Sequence, residues 1–136
     1  MKSLKNSSKG TQLQRLLFLL FLPLLFTSCG KTGNYGYPSK ITFSNEGGSK
    51  EVKGNDFPRS IEIADFDGVG KYKEVDYAVD STIVTYEWLT IKAKNKENKF
   101  TIIADPKKSG KSRTLYIRAD IDPTEPGMPA EIKVVQ

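Results

Sequence analysis

From Ser39 onward, apolar residues recur at every second position over short stretches, and each stretch ends in turn-forming residues. Ile41 and Phe43 open the series, and Ile61/Ile63, Leu89/Ile91/Ala93, Phe100/Ile102, Leu115/Ile117/Ala119/Ile121 and Ile132/Val134 continue it. A period of two puts these side chains on one face of an extended chain, so each stretch predicts a strand with one buried face. Between them lie Asn45-Glu46-Gly47-Gly48, Asn95-Lys96-Glu97-Asn98, Lys108-Ser109-Gly110 and a connection from Asp122 to Pro129 with three prolines. These are turn and loop chemistries. No stretch of this region carries apolar residues at helical spacing over three turns. Seven or eight short strands, each apolar on one side, require a second sheet to cover the first. The expected fold is all-β, an immunoglobulin-like β-sandwich over residues 39–136.

The first 28 residues follow a different order. A basic, polar start is followed by the apolar run Leu16 to Phe26, then by the small residues Thr27 and Ser28. This is the layout of a secretory signal. As a helix, the run would reach only about 16 Å at 1.5 Å per residue, against a hydrocarbon core of roughly 30 Å, so it is too short to span. Phe26-Thr27-Ser28-Cys29-Gly30 resembles the lipobox of bacterial lipoproteins, with Phe26 where leucine is commonest. The resemblance implies cleavage before Cys29 and acylation of Cys29, leaving a 108-residue product held on a membrane by several acyl chains. Residues 29–38, rich in Gly and small polar side chains, read as a flexible tether.

The formal charge of +5 changes meaning once the leader is set aside. Four of the 21 basic residues lie in the first 28 positions, leaving 17 against 16 acidic residues. Basic and acidic residues are interspersed, without the basic stripe that a phosphate backbone requires, so nucleic acid is not an expected partner. The chain has no histidine and a single cysteine. It therefore lacks the imidazole of Ser-His-Asp and Cys-His systems and the usual zinc ligands, and it cannot form an internal disulfide. A non-enzymatic protein without a cofactor, monomeric in solution, is expected.

Four short motifs in order carry a family resemblance. Ile41-Thr-Phe-Ser-Asn-Glu-Gly-Gly-Ser-Lys-Glu-Val52, Glu87-Trp88-Leu89-Thr90-Ile91, Lys108-Ser-Gly-Lys-Ser-Arg-Thr-Leu-Tyr-Ile117 and Ala130-Glu-Ile-Lys-Val-Val-Gln136 together resemble the BACON domain. The resemblance covers residues 39–136. It implies an immunoglobulin-like sandwich from lipoproteins and glycan-degrading systems of gut-type Bacteroidetes, with a proposed carbohydrate-binding role. This chain departs from the family at Ser60-Ile61-Glu62-Ile63, where a second tryptophan is usual, and over Ala64 to Ser81, which is longer and unlike the pattern. In Bacteroidetes lipoproteins, acidic residues just after the cysteine accompany export to the cell surface. Here Lys31 is the only charge before Lys40 and Glu46 is the first acid, so an outer-membrane lipoprotein facing the periplasm is expected.

Several motifs invite chemistry. Gly110-Lys111-Ser112 lacks the earlier glycine of a phosphate-binding loop, because Asp105 stands there, and a strand pattern follows in place of a helix. Asp65-Phe66-Asp67-Gly68 resembles the start of a calcium loop, but Val69 and Gly70 follow where a ligand and the invariant glycine belong, and a hairpin turn accounts for it. Glu74/Asp76 and Asp120/Asp122 would share a strand face at roughly 6–7 Å, read here as solvated acids. Tyr72, Tyr77, Tyr86 and Trp88 crowd into 17 residues. They are the candidate glycan-contact residues, since sugar sites stack pyranose rings on aromatic faces. For Trp88 the alternative is a cap on the core, because strand parity sets it opposite Leu89 and Ile91 unless a bulge intervenes. Two functions follow from these features: a membrane-anchored interaction or spacer module, and a carbohydrate-binding module. A separate envelope protein or a glycan would be the partner.

Overall fold

The alternating stretches pair into two sheets. In the computed structural model, residues 33–136 are described, apart from Ser109, Pro123, Glu125 and Pro126; the leader, Cys29 and residues 30–32 lie outside the described residues. Nine strands are present among them: β1 (Lys40–Thr42), β2 (Gly48–Lys53), β3 (Ser60–Ala64), β4 (Gly70–Glu74), β5 (Ser81–Tyr86), β6 (Leu89–Lys94), β7 (Lys99–Ala104), β8 (Thr114–Asp120) and β9 (Ala130–Val135). One sheet has the order β1-β9-β8-β3-β4 and the other β2-β7-β6-β5. The fold is an all-β sandwich with no helix among the described residues. Its antiparallel triplets β2-β7-β6 and β3-β8-β9 correspond to the two facing strand sets of immunoglobulin domains. β1 runs parallel to β9 along one edge.

Register explains the core. Ile63 sits opposite Ile117, which sits opposite Ile132, while Val84, Ile91 and Ile102 form the corresponding row in the other sheet. Every apolar position read from the sequence pattern, from Ile41 to Val134, is buried. Burying one such aliphatic side chain fully contributes about 1.5–3 kcal/mol before entropy is counted.

Three strands were not visible as alternation. β2 buries only Val52, and β4 buries nothing, so backbone pairing with β7 and β3 defines them. In β5 a threonine takes an inward position, with Thr82 and Val84 inside and Ile83 exposed. The strand count is accordingly nine where seven or eight were expected.

Residues 33–38, expected to belong to the flexible tether, are fastened to the sandwich. Tyr37 is fully buried, stacked on Phe100 with ring centroids 5.3 Å apart, and its hydroxyl donates to the Asp56 carbonyl at 2.7 Å. Gly54 makes room for it, since a Cβ there would lie 2.1 Å from the Tyr37 ring. Asn34 and Tyr35 add bonds to Glu131 and Met128.

Two outcomes follow. Leu89→Ala and Ile117→Ala should each cost about 2–5 kcal/mol in urea denaturation, whereas Lys92→Ala, on the outer parity, should stay within about half a kcal/mol. Equal costs on both parities would overturn this register. Burial, aided by the Asp56 charge, pushes the Tyr37 phenol up from 10.0 to about 12. A phenol that titrates near 10 when unfolded and near 12 when folded supports the fold fully below pH ~10, and its contribution is lost as pH rises to about 12. Tyr37→Phe should remove that part of the alkaline destabilisation; an unchanged stability profile between pH ~10 and ~12 would count against it.

Candidate functional site

Strand pairing brings together residues far apart in sequence on the outer face of the five-stranded sheet. Tyr72, Glu62, Arg118 and Glu131 lie in one row across β4, β3, β8 and β9. Glu74, Ser60 and Asp120 form the next row. Arg118 donates to Glu62 and Glu131, each at 3.0 Å, which fixes the middle of the face. The Tyr72 hydroxyl reaches Glu74 Oε1 at 3.4 Å.

Two shallow depressions overlap here, sharing Ser60, Tyr72 and Asp120. One, of about 250 Å³, adds Glu62, Arg118 and Pro129. The other, of about 280 Å³, adds Arg59, Glu74 and Tyr77. Tyr72 and Tyr77 remain 57% and 52% exposed. The arrangement is a groove lined by two phenol rings together with carboxylates, guanidinium groups and a serine. Such a set can stack on an apolar ring face and exchange hydrogen bonds with hydroxyl groups.

The four candidate aromatics are therefore divided. Tyr72 and Tyr77 share the groove, while Tyr86 and Trp88 lie at the far end of the other sheet. Tyr86 is half-buried against the core, where desolvation and the Glu87 and Asp65 carboxylates raise its phenol above the ordinary value. Trp88 is only 6% exposed. It escapes strand parity because Glu87 and Trp88 are the two-residue turn between Tyr86 and Leu89, with Glu87 in the left-handed region at φ 53°. The Arg113 guanidinium lies over its ring at 4.6 Å. Trp88 thus caps the core, as the second of the two sequence readings had it, and it presents no face to a sugar.

The acidic pairs also regroup. Asp76 and Asp122 lie beyond their strands and accept local bonds, from the Ala78 N–H and from Thr124 respectively. Glu74 and Asp120 instead flank Ser60 from neighbouring strands, a cross-strand relation invisible along the chain. Asp65 Oδ1 accepts the N–H groups of Asp67 and Val69 at 2.9 and 3.0 Å, so this segment is a hairpin turn between β3 and β4. After Gly110-Lys111-Ser112 the strand β8 begins at Thr114. No group of three or more metal-ligating side chains gathers among the described residues.

A larger depression, of about 370 Å³, lies on the outer face of the other sheet between Ile83, Lys92, Lys94 and Lys99. Lys99 is shared with Glu51 at 4.0 Å, and the lining offers no exposed aromatic ring. Its sequence signal, lysines at alternate positions of β6, is that of any solvated strand face.

No family model matches the chain, and no curated protein matches it. Among solved structures it is similar to an NMR structure of a protein from Bacteroides thetaiotaomicron, at 20% identity and a TM-score of 0.45, over 74% of this chain and 81% of that one.

Trp88→Ala should lower stability by about 3–5 kcal/mol, the usual cost of emptying an aromatic core position. Tyr72→Ala and Tyr77→Ala, on the exposed groove, should each change it by no more than about half a kcal/mol. Urea midpoints of the three variants decide the matter, and a Trp88→Ala protein as stable as its parent would contradict the capping role.

Proposed function

We propose that this chain is a non-enzymatic interaction module of the cell envelope, carried on lipid at Cys29, and that it meets its partner at the Tyr72–Tyr77 groove. The observation that carries the reading is the exposure of two tyrosines that line one depression, Tyr72 on the polar outer face of β4 and Tyr77 in the turn that follows it. Exposed aromatic rings that neither pack on the core nor cap it favour contact with a partner, since tyrosine supplies contact area at small entropic cost. The anchor fits the outer membrane, with the domain towards the periplasm, in keeping with Lys31 as the only charge between Cys29 and Lys40.

A second reading gives the partner a chemical class. Exposed phenol rings lined up with Glu74, Asp120, Arg59 and Ser60 supply what a pyranose ring needs: aromatic surface for its C–H patch and acceptors and donors for its hydroxyls. This supports a carbohydrate ligand, in line with the resemblance to the BACON domain. Notably, both tyrosines come from the segment 64–81 in which the chain departs from that family, so the groove would be this chain's own device.

A glycan array followed by calorimetric titration of residues 33–136 tests both. Saturable binding at or below millimolar concentration is expected, equivalent to about −4 kcal/mol or better, and Tyr72→Ala and Tyr77→Ala should abolish it with the melting temperature shifted by no more than a few degrees. Absence of sugar binding would remove the carbohydrate reading, and binding untouched by both substitutions would place the ligand elsewhere.

A further inference from the structure

The segment that leads towards Cys29 is fastened to one particular end of the sandwich. Asn34 donates to the carbonyls of Tyr37, Pro38 and Glu131 at 3.0, 3.1 and 3.1 Å, and the Tyr35 hydroxyl donates to the Met128 carbonyl at 3.0 Å. The bonds continue across that end. The Asn55 N–H donates to the Tyr35 carbonyl at 2.7 Å, the Asn98 amide to Gly54 at 3.0 Å, and the Asn95 amide to the carbonyls of Asp76 and Val79. One belt of hydrogen bonds therefore joins residues 34–38 to the β2–β3 turn, the β6–β7 turn, the β4–β5 connection and Met128.

That end also carries exposed apolar side chains. Val79 is 48% exposed and Met128 62%. At the opposite end, where β3 finishes beside the start of β8, stand the β3–β4 hairpin and the Trp88 turn.

Only Gly30, Lys31 and Thr32 separate Cys29 from Gly33. Four Cα-to-Cα steps of about 3.8 Å reach at most about 15 Å. If Cys29 bears the lipid, as the proposed function holds, Gly33 stays within that distance of the bilayer, and the domain cannot turn its belted end away. We propose that this end rests on the bilayer that receives the acyl chains, with Val79 and Met128 seated among the headgroups and the strands standing away from the surface. The tether keeps the local concentration of this end high at the membrane, so a modest apolar contact suffices to orient the domain. Charges here are mixed, Lys53, Lys94, Lys96 and Lys99 against Asp56, Asp76, Asp80 and Glu97, so the contact is apolar and does not require anionic lipid.

The sole tryptophan, Trp88, lies at the far end and serves as an internal reference. The full-length lipidated protein, reconstituted in phosphatidylcholine vesicles with and without bromines near the headgroup end of the acyl chains, is compared with Val79→Trp, Met128→Trp and Phe66→Trp. The emission added by Val79→Trp and Met128→Trp should be largely quenched by the brominated lipid, while that of Trp88 and of Phe66→Trp should not change. Equal emission of all variants in both vesicles, with acylated Cys29 confirmed by mass, overturns the docking alone. Quenching of Phe66→Trp as strong as that of Val79→Trp also overturns it. An unacylated Cys29, with the protein floating no better than Cys29→Ala, overturns the docking together with the lipid anchor.

Discussion

Each sheet of the sandwich buries one face against the other, and with a single cysteine in the chain no internal disulfide reinforces that contact. The rest of the domain depends on it. β3 and β8 show how. Their inward residues, Ile61, Ile63, Leu115, Ile117 and Ala119, pack the core, while the alternate ones, Ser60, Glu62, Arg118 and Asp120, face outward in the same register. A strand rigid enough to hold the core therefore also holds the groove. Displacing either strand by one residue would expose the aliphatic row and scatter the polar one at the same time. The outer face owes its order to a force that acts on the inner one.

A second contact closes the end of the sandwich away from residues 34–38. Arg113 lies over Trp88 and donates through Nε and Nη2 to Gln136 Oε1 at 2.9 and 2.6 Å. The Gln136 amide in turn donates to the carbonyls of Ser44 and Asp105 at 2.9 and 2.8 Å, and the Asp105 N–H donates to the Trp88 carbonyl. Nearby, Gly47 adopts φ 76° with its α-carbon pressed so close to the Ala104 carbonyl that a Cβ would sit 2.3 Å from it. Ser44, Gly47, Trp88, Arg113 and Gln136 belong to the four short motifs noted along the chain, and Ala104 and Asp105 join them from the end of β7. Their shared task in this chain is to seal one end of the core. The groove is built from other residues.

The fold was legible because burial and alternation coincide. Wherever both neighbouring strands cover a residue, as at Ile91 or Ile117, an apolar side chain at every second position announces the strand. β4 was not legible, because its side chains bury nothing, and β5 was not, because a threonine, Thr82, faces inward and Ile83 outward. Turn geometry hid Trp88: parity applies within a strand, and Glu87 and Trp88 lie between two. Composition made Asn34 to Pro38 look like tether, whereas two tyrosines among its glycines pack on the core, Tyr37 fully buried and Tyr35 partly so. Of the site, the sequence suggested Tyr72 and Tyr77 by density of aromatics alone. It could not pair Glu74 with Asp120, since their neighbourhood arises from two strand registers and a long separation along the chain.

The parallel pairing of β1 with β9 bears on how the domain responds to mechanical load. Lys40, Ile41 and Thr42 lie beside Lys133, Val134 and Val135, so β1 and β9 point the same way. A pull applied at Gly33, with the domain gripped elsewhere, runs along the β1 axis. It must shear all the bonds between β1 and β9 together, along with the Asn34 bonds to Glu131 and the buried Tyr37, where a hairpin at the same edge would unzip one pair at a time. A strand of three residues can in this way act as a mechanical clamp.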